Sequence, residues 1–143
     1  MKVFWDTNLF IYLWEESPLQ TIAQQFSRAI IEGGHSVITS SLTVGEILVQ
    51  PARRGDAGIQ EAYLSEFRTI PIISFDLAAA GEFAKLRARY HPALRPPDAI
   101  QLACAATAET DLFVTNDNRL SHLAVPGIAR IAALADWQVA LLE

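Results

Sequence analysis

Four acidic residues stand where an acid does little for a fold and much for a cation. Asp6 directly follows Val3-Phe4-Trp5, and Asp117 follows Phe113-Val114-Thr115-Asn116. Glu46 is the one charge in Leu42-Thr43-Val44-Gly45-Glu46-Ile47-Leu48-Val49, and Asp98 stands in Pro96-Pro97-Asp98-Ala99-Ile100. Singly, each has an ordinary explanation. A carboxylate near a helix start complements the helix dipole, and an aspartate after a strand caps or turns the chain. As a group they ask for more. Two carboxylates about 4 Å apart repel by roughly 4 kcal/mol at an effective dielectric of 20, so four together need protons or a cation. A hard divalent ion with oxygen ligands suits them, magnesium or manganese being the usual choice. Such an ion binds a phosphate oxygen, lowers the pKa of a water and steadies a leaving oxygen. Histidine and cysteine do not compete for this role. His35, His91 and His122 are far apart in sequence, and the single cysteine, Cys104, excludes an internal disulfide and a cysteine-based zinc site.

The acids meet only if the elements between them bring them together. The hydrophobic pattern reads as short strands alternating with longer helices. Strands are expected at Lys2–Trp5, Ser36–Ser40, Ile70–Phe75, Leu112–Thr115 and Ile128–Ala132. Helices are expected at Asn8–Trp14, from a capping box at Ser17-Pro18-Leu19-Gln20 to Glu32, and over Leu42–Val49, where Pro51 ends it. Further helices are expected at Ala57–Phe67, from an Asp76 cap to Tyr90, and from Pro96-Pro97 through Ala108, the last apolar on nearly every side. Strands alternating with helices indicate an α/β domain with a mainly parallel sheet. Ligands bind such sheets beyond the carboxyl ends of the strands, and three of the four acids fall at a strand end or a helix start.

Composition bounds the rest. The chain has 143 residues, 51% of them apolar and 19% charged, enough to build one core. Without repeats or a linker, residues 1–143 read as a single domain. The apolar run Leu9–Trp14 falls far short of the ~20 residues of a spanning helix. Asp6 and Asn8 interrupt the place where a signal peptide is apolar, so a soluble cytoplasmic protein is expected. No glycine-rich phosphate loop is present, which argues against a nucleotide cofactor. Cys104 reads as core, and Trp5, Trp14 and Trp137 as core or interface. The face formed by Ile59, Tyr63 and Phe67 reads as core, or as a surface for a partner helix or second subunit. The net charge of −5, from 16 acids and 11 bases, argues against a broad nucleic-acid surface.

Asp6-Thr7-Asn8, Glu46, Pro97-Asp98-Ala99 and Thr115-Asn116-Asp117 occur in this order, their acids 40, 52 and 19 residues apart. In this the chain resembles the PIN-domain nucleases, and especially the VapC-like toxins of type II toxin–antitoxin pairs, over essentially its whole length. The resemblance implies a three-layer α/β/α sandwich with a mainly parallel sheet of four to five strands. It implies a magnesium- or manganese-dependent endoribonuclease, inhibited by a cognate VapB-like antitoxin and homodimeric. Asp6 and Asp98 match the direct metal ligands, with Glu46 and Asp117 completing the quartet directly or through water. Thr7, Asn8, Thr115 and Asn116 match positions that orient those acids. The expected reaction is in-line hydrolysis of an RNA phosphodiester, in tRNA or ribosomal RNA. Setting the quartet aside leaves a formal charge of −1, so RNA contact then rests on the metal and on local arginines. Arg95 and Arg119 flank the acids; Lys85, Arg87 and Arg89, in a local stretch with His91, and Arg53-Arg54 supply further positive charge. A solitary PIN nuclease in RNA processing and a non-catalytic PIN-like binding module remain alternatives. A receiver domain also carries acids at strand ends, but its lysine after the last strand has no counterpart, because Lys2 and Lys85 lie elsewhere.

Overall fold

A computed structural model of the chain describes residues 1–142. Five strands, β1 (Lys2–Trp5), β2 (Ser36–Ser40), β3 (Ile72–Ile73), β4 (Thr110–Thr115) and β5 (Ile128–Ala133), form one sheet in the order β3-β2-β1-β4-β5. Every neighbouring pair is parallel, so the sheet is wholly rather than mainly parallel. Parallel strands covered on both faces read as unbroken apolar runs, as Val3-Phe4-Trp5 and Leu112-Phe113-Val114 do. Alternation along each strand divides these residues between two cores. Val3, Trp5, Leu112 and Val114 pack on one face, and Phe4 and Phe113 on the other, their rings stacked 5.0 Å apart.

The first core is closed by α1 (Thr7–Trp14), α2 (Gln20–Glu32), α3 (Ser41–Arg53), α4 (Ala57–Phe67) and α7 (Trp137–Leu142). The second is closed by α5 (Leu77–Tyr90) and α6 (Pro96–Thr107). These are the three layers of an α/β/α sandwich. Trp5 is buried, Trp14 stacks on Tyr63 at 5.1 Å, and Trp137 packs on Phe26 at 5.6 Å. Phe67 joins the core, whereas Ile59 remains 39% exposed. Cys104 is fully buried, and burial pushes its thiol up to about 11, consistent with packing and not with thiolate chemistry. Gly127, just before β5, has φ 95°, and a Cβ there would lie 2.6 Å from the Ala106 carbonyl oxygen.

Three local expectations are corrected. Ser17 does not open a capping box. Its Oγ accepts from Leu19 N, and the Gln20 side chain donates to Leu13 O. Gln20 thereby satisfies an orphan carbonyl at the end of α1, and α2 begins only at Gln20, with Leu19 as a cap lacking a side-chain bond. Pro51 does not end its helix. It lies buried within α3, which runs on to Arg53. Proline removes one amide donor, yet Arg54 N bonds Gln50 O across it and Asp56 N bonds Pro51 O. The third strand shrinks to Ile72–Ile73 because its partner β2 ends at Ser40, paired with Ile73, and turns into α3.

The strand order fixes the site. From β1 the chain builds outward through β2 to β3, then returns to lay β4 on the other side of β1. A crevice opens at such a reversal, beyond the carboxyl ends of the two strands that flank it. Asp6 follows β1, and Thr115-Asn116-Asp117 ends and follows β4.

Candidate active site

The crevice is a cavity of about 440 Å³ lined by Asp6, Glu46, Asp98 and Asp117, with Thr7, Asn8, Arg95 and Gln101 among its other walls. All four acids picked out in the sequence therefore meet, each delivered by a different element. Asp6 caps α1, its Oδ1 accepting from Thr7 N at 2.7 Å. Its Oδ2 accepts from the Thr115 hydroxyl at 2.9 Å, and the same Thr115 oxygen accepts from Asp117 N at 3.0 Å. One threonine at the end of β4 thus orients two of the acids. Glu46 projects from α3, and its Oε1 accepts from the Thr7 hydroxyl at 2.8 Å. Asp98 stands in the first turn of α6, behind Pro96 and Pro97.

The electrostatics reflect a crowd of like charges. Burial pushes the Asp6 carboxyl up to about 6; the Thr115 and Thr7 bonds oppose this, and the charges of Asp98 and Glu46 add to it. Burial also raises Asp98, against the pull of Arg95, whose Nε lies 3.8 Å from Asp98 Oδ2. Asp117 is lowered, because Arg119 grips it: Nε donates to Oδ1 at 2.9 Å and Nη2 to Oδ2 at 2.5 Å.

Of the other residues expected here, Asn8 is exposed on the cavity wall and Asn116 donates to the Tyr12 hydroxyl at 3.2 Å. Neither bonds an acid of the quartet among the described residues. The basic stretch divides. Arg95 lines the cavity. Arg87 donates to Leu94 O, Lys85 pairs with Glu82, and Arg89 lies over the Tyr90 ring. Sequence reading missed Gln101, which is 3% exposed and reaches Thr7. It is the one polar side chain between Ala99 and Ala106, and that was the available signal.

The donor set is all oxygen and mostly anionic, which fits magnesium or manganese. Among the described residues, no three His, Cys, Asp or Glu are already drawn together in metal-holding geometry. Magnesium does not require that. It keeps several waters and is held by one or two carboxylates plus substrate phosphates, which an open basin allows.

A wholly parallel three-layer sandwich with an acid-lined basin at its switch point defines the class. Within it, the chain belongs to the PIN domain family, whose model matches residues 3–126. Solved structures share the fold. A toxin–antitoxin complex from Klebsiella pneumoniae aligns with TM-score 0.65 at 23% identity, over 88% of this chain and 94% of that one. VapBC2 from Rickettsia felis, bound to a DNA fragment from its promoter, aligns with TM-score 0.70 at 15% identity, over 93% and 98%. DNA-bound VapBC from Salmonella typhimurium aligns with TM-score 0.60 at 22% identity, over 94% and 98%. Among curated protein sequences, none matches significantly. No helix among the described residues is long and apolar enough to cross a membrane.

Proposed function

We propose that this chain is a magnesium- or manganese-dependent endoribonuclease of the VapC type, the toxin of a toxin–antitoxin pair. The observation that carries this reading is the convergence of Asp6, Glu46, Asp98 and Asp117 on one basin. A divalent ion held there supplies positive charge to a phosphodiester and acidifies a water. Asp6 and Asp98 are the direct ligands, and Asp6 is aimed in advance by the Thr7 amide and the Thr115 hydroxyl. Asp6 must release its proton to serve, since burial holds its carboxyl near 6. Glu46 and Asp117 complete the quartet. Arg95 and Arg119 are exposed at the rim and reach for RNA phosphates, fixing the strand without reading its bases. Arg119 leaves Asp117 to do so.

The fold shared with toxin–antitoxin complexes supports a VapB-like antitoxin as partner. We take residues 1–143 as one domain, homodimeric and cytoplasmic, with tRNA or ribosomal RNA as substrate. The test compares cleavage of these RNAs by the wild type, Asp6→Asn and Asp98→Asn, with Mg²⁺ or Mn²⁺ and with EDTA. Each substitution and the chelator should lower cleavage about 100-fold or more. Cleavage that survives them refutes the site, and a chain that binds Mn²⁺ but cuts no RNA is a binding module.

A further inference from the structure

Gln101 is a buried polar side chain on the basin wall that the proposed chemistry leaves without a task. An amide out of water costs about 1–3 kcal/mol unless its hydrogen bonds are made, and Gln101, only 3% exposed, makes three. Its Oε1 accepts from the Ser40 hydroxyl, and its Nε2 donates to Thr7 Oγ1 at 3.0 Å and to Thr43 Oγ1 at 2.8 Å. Each hydroxyl has one proton, so the directions of the remaining bonds follow. Thr39 gives its proton to Trp5 O, at 2.8 Å, because a carbonyl only accepts. Thr43 therefore donates to Thr39 Oγ1, also at 2.8 Å. Thr7, already an acceptor from Gln101, has two acceptors in reach, Glu46 Oε1 at 2.8 Å and Thr43 Oγ1 at 3.2 Å, and its proton goes to the nearer, charged one. Every proton is used once. Turning the amide over would set its carbonyl against Thr7 and Thr43, drawing the Thr7 proton away from Glu46. It would also leave the Ser40 proton without its acceptor.

We propose that Gln101 is a positioning residue for Glu46, acting through the Thr7 hydroxyl. Ser40, at the end of β2, selects the amide orientation. Gln101, on α6, forces Thr7 to be an acceptor on one side and a donor on the other. Glu46, exposed on α3, is thereby held toward the basin. This rests on the assignment of Glu46 to the metal-binding quartet.

The test is a Mn²⁺ titration of the whole chain by calorimetry, with thermal melts as a check on folding. The wild type should bind. Gln101→Leu, nearly isosteric but without hydrogen bonds, should weaken binding about 10-fold, as loss of an outer partner of a ligand does. Thr7→Val should do the same, and Thr7→Ser should restore wild-type affinity. In a Glu46→Ala background, Gln101→Leu and Thr7→Val should each change affinity less than about 2-fold, since their target is gone. If Gln101→Leu fails to melt cooperatively, the Thr7→Val and Thr7→Ser pair decides alone. The inference is overturned if Gln101→Leu and Thr7→Val bind like wild type, or lose as much affinity without Glu46 as with it. A wild type that binds no Mn²⁺ instead refutes the quartet as a metal site.

Discussion

Metal binding should be strongly pH-dependent on the acid side of neutrality, and Asp6 sets the size of the effect. A cation entering the basin must displace the proton that burial keeps on Asp6 up to a pKa of about 6. At pH 5 about ten molecules carry that proton for each that does not. Apparent Mn²⁺ affinity should therefore be about 10-fold weaker at pH 5 than at pH 7.5. An ordinary aspartate, with a pKa of about 3.9, would change it by under a tenth over the same range. Asp98 is also raised, which moves the effect the same way. Calorimetry in two buffers of different ionisation enthalpy reads both affinity and proton release. Release should be about 0.9 proton per ion at pH 5, about half at pH 6 and close to none at pH 7.5. Asp6→Asn should flatten the profile. Wild-type affinities at pH 5 and pH 7.5 that agree within about 2-fold would refute the reasoning, because a carboxylate free of its proton at both cannot be the raised one.

The same carboxyl acts on folding. The folded chain holds this proton more tightly than the unfolded chain does, so metal-free stability should fall as pH rises from about 4 to about 6, by up to about 3 kcal/mol. Urea melts at pH 4.5 and 7 measure the fall, and Mn²⁺ at pH 7 should reverse it. Arg119→Ala frees Asp117 and removes a positive charge beside the basin, so Mn²⁺ affinity should rise, by up to about 5-fold for so exposed a pair. RNA affinity should fall, with the salt slope reduced by about 1; an unchanged slope would place Arg119 off the RNA path. Gly127→Ala combines a left-handed backbone with a Cβ 2.6 Å from a carbonyl oxygen, so it should cost about 2–4 kcal/mol in a denaturant melt.

What the sequence made legible was local. β1 and β4 show as unbroken apolar runs, and the acids after them stand out because a charge directly behind such a run has few roles in packing. The order of elements then implied a rim where the acids meet. The parts that were not legible depend on distant groups. Ser17-Pro18-Leu19-Gln20 has the letters of a capping box, but the carbonyl that claims Gln20 belongs to the preceding helix. Pro51 has the letters of a stop, but the bonds resuming beyond it hold α3 together. The hydroxyls around Gln101 come from Thr7, Thr39, Ser40 and Thr43, which only strand register and helix packing bring into line. An isolated glutamine in a helix apolar on nearly every side signals a buried amide, but its partners become visible only with that packing.

The hydrogen bond from Thr115 to Asp6 spans 109 residues. A ribosome adding about 5–20 residues per second needs roughly 5–20 s to cover that distance. During that time the emerging chain carries its first acid without the strand that aims it. β1, which β2 joins on one side, keeps its other edge open until β4 arrives to lie beside it. The four acids of the basin therefore come together only after β4 and the Asp117 behind it have emerged.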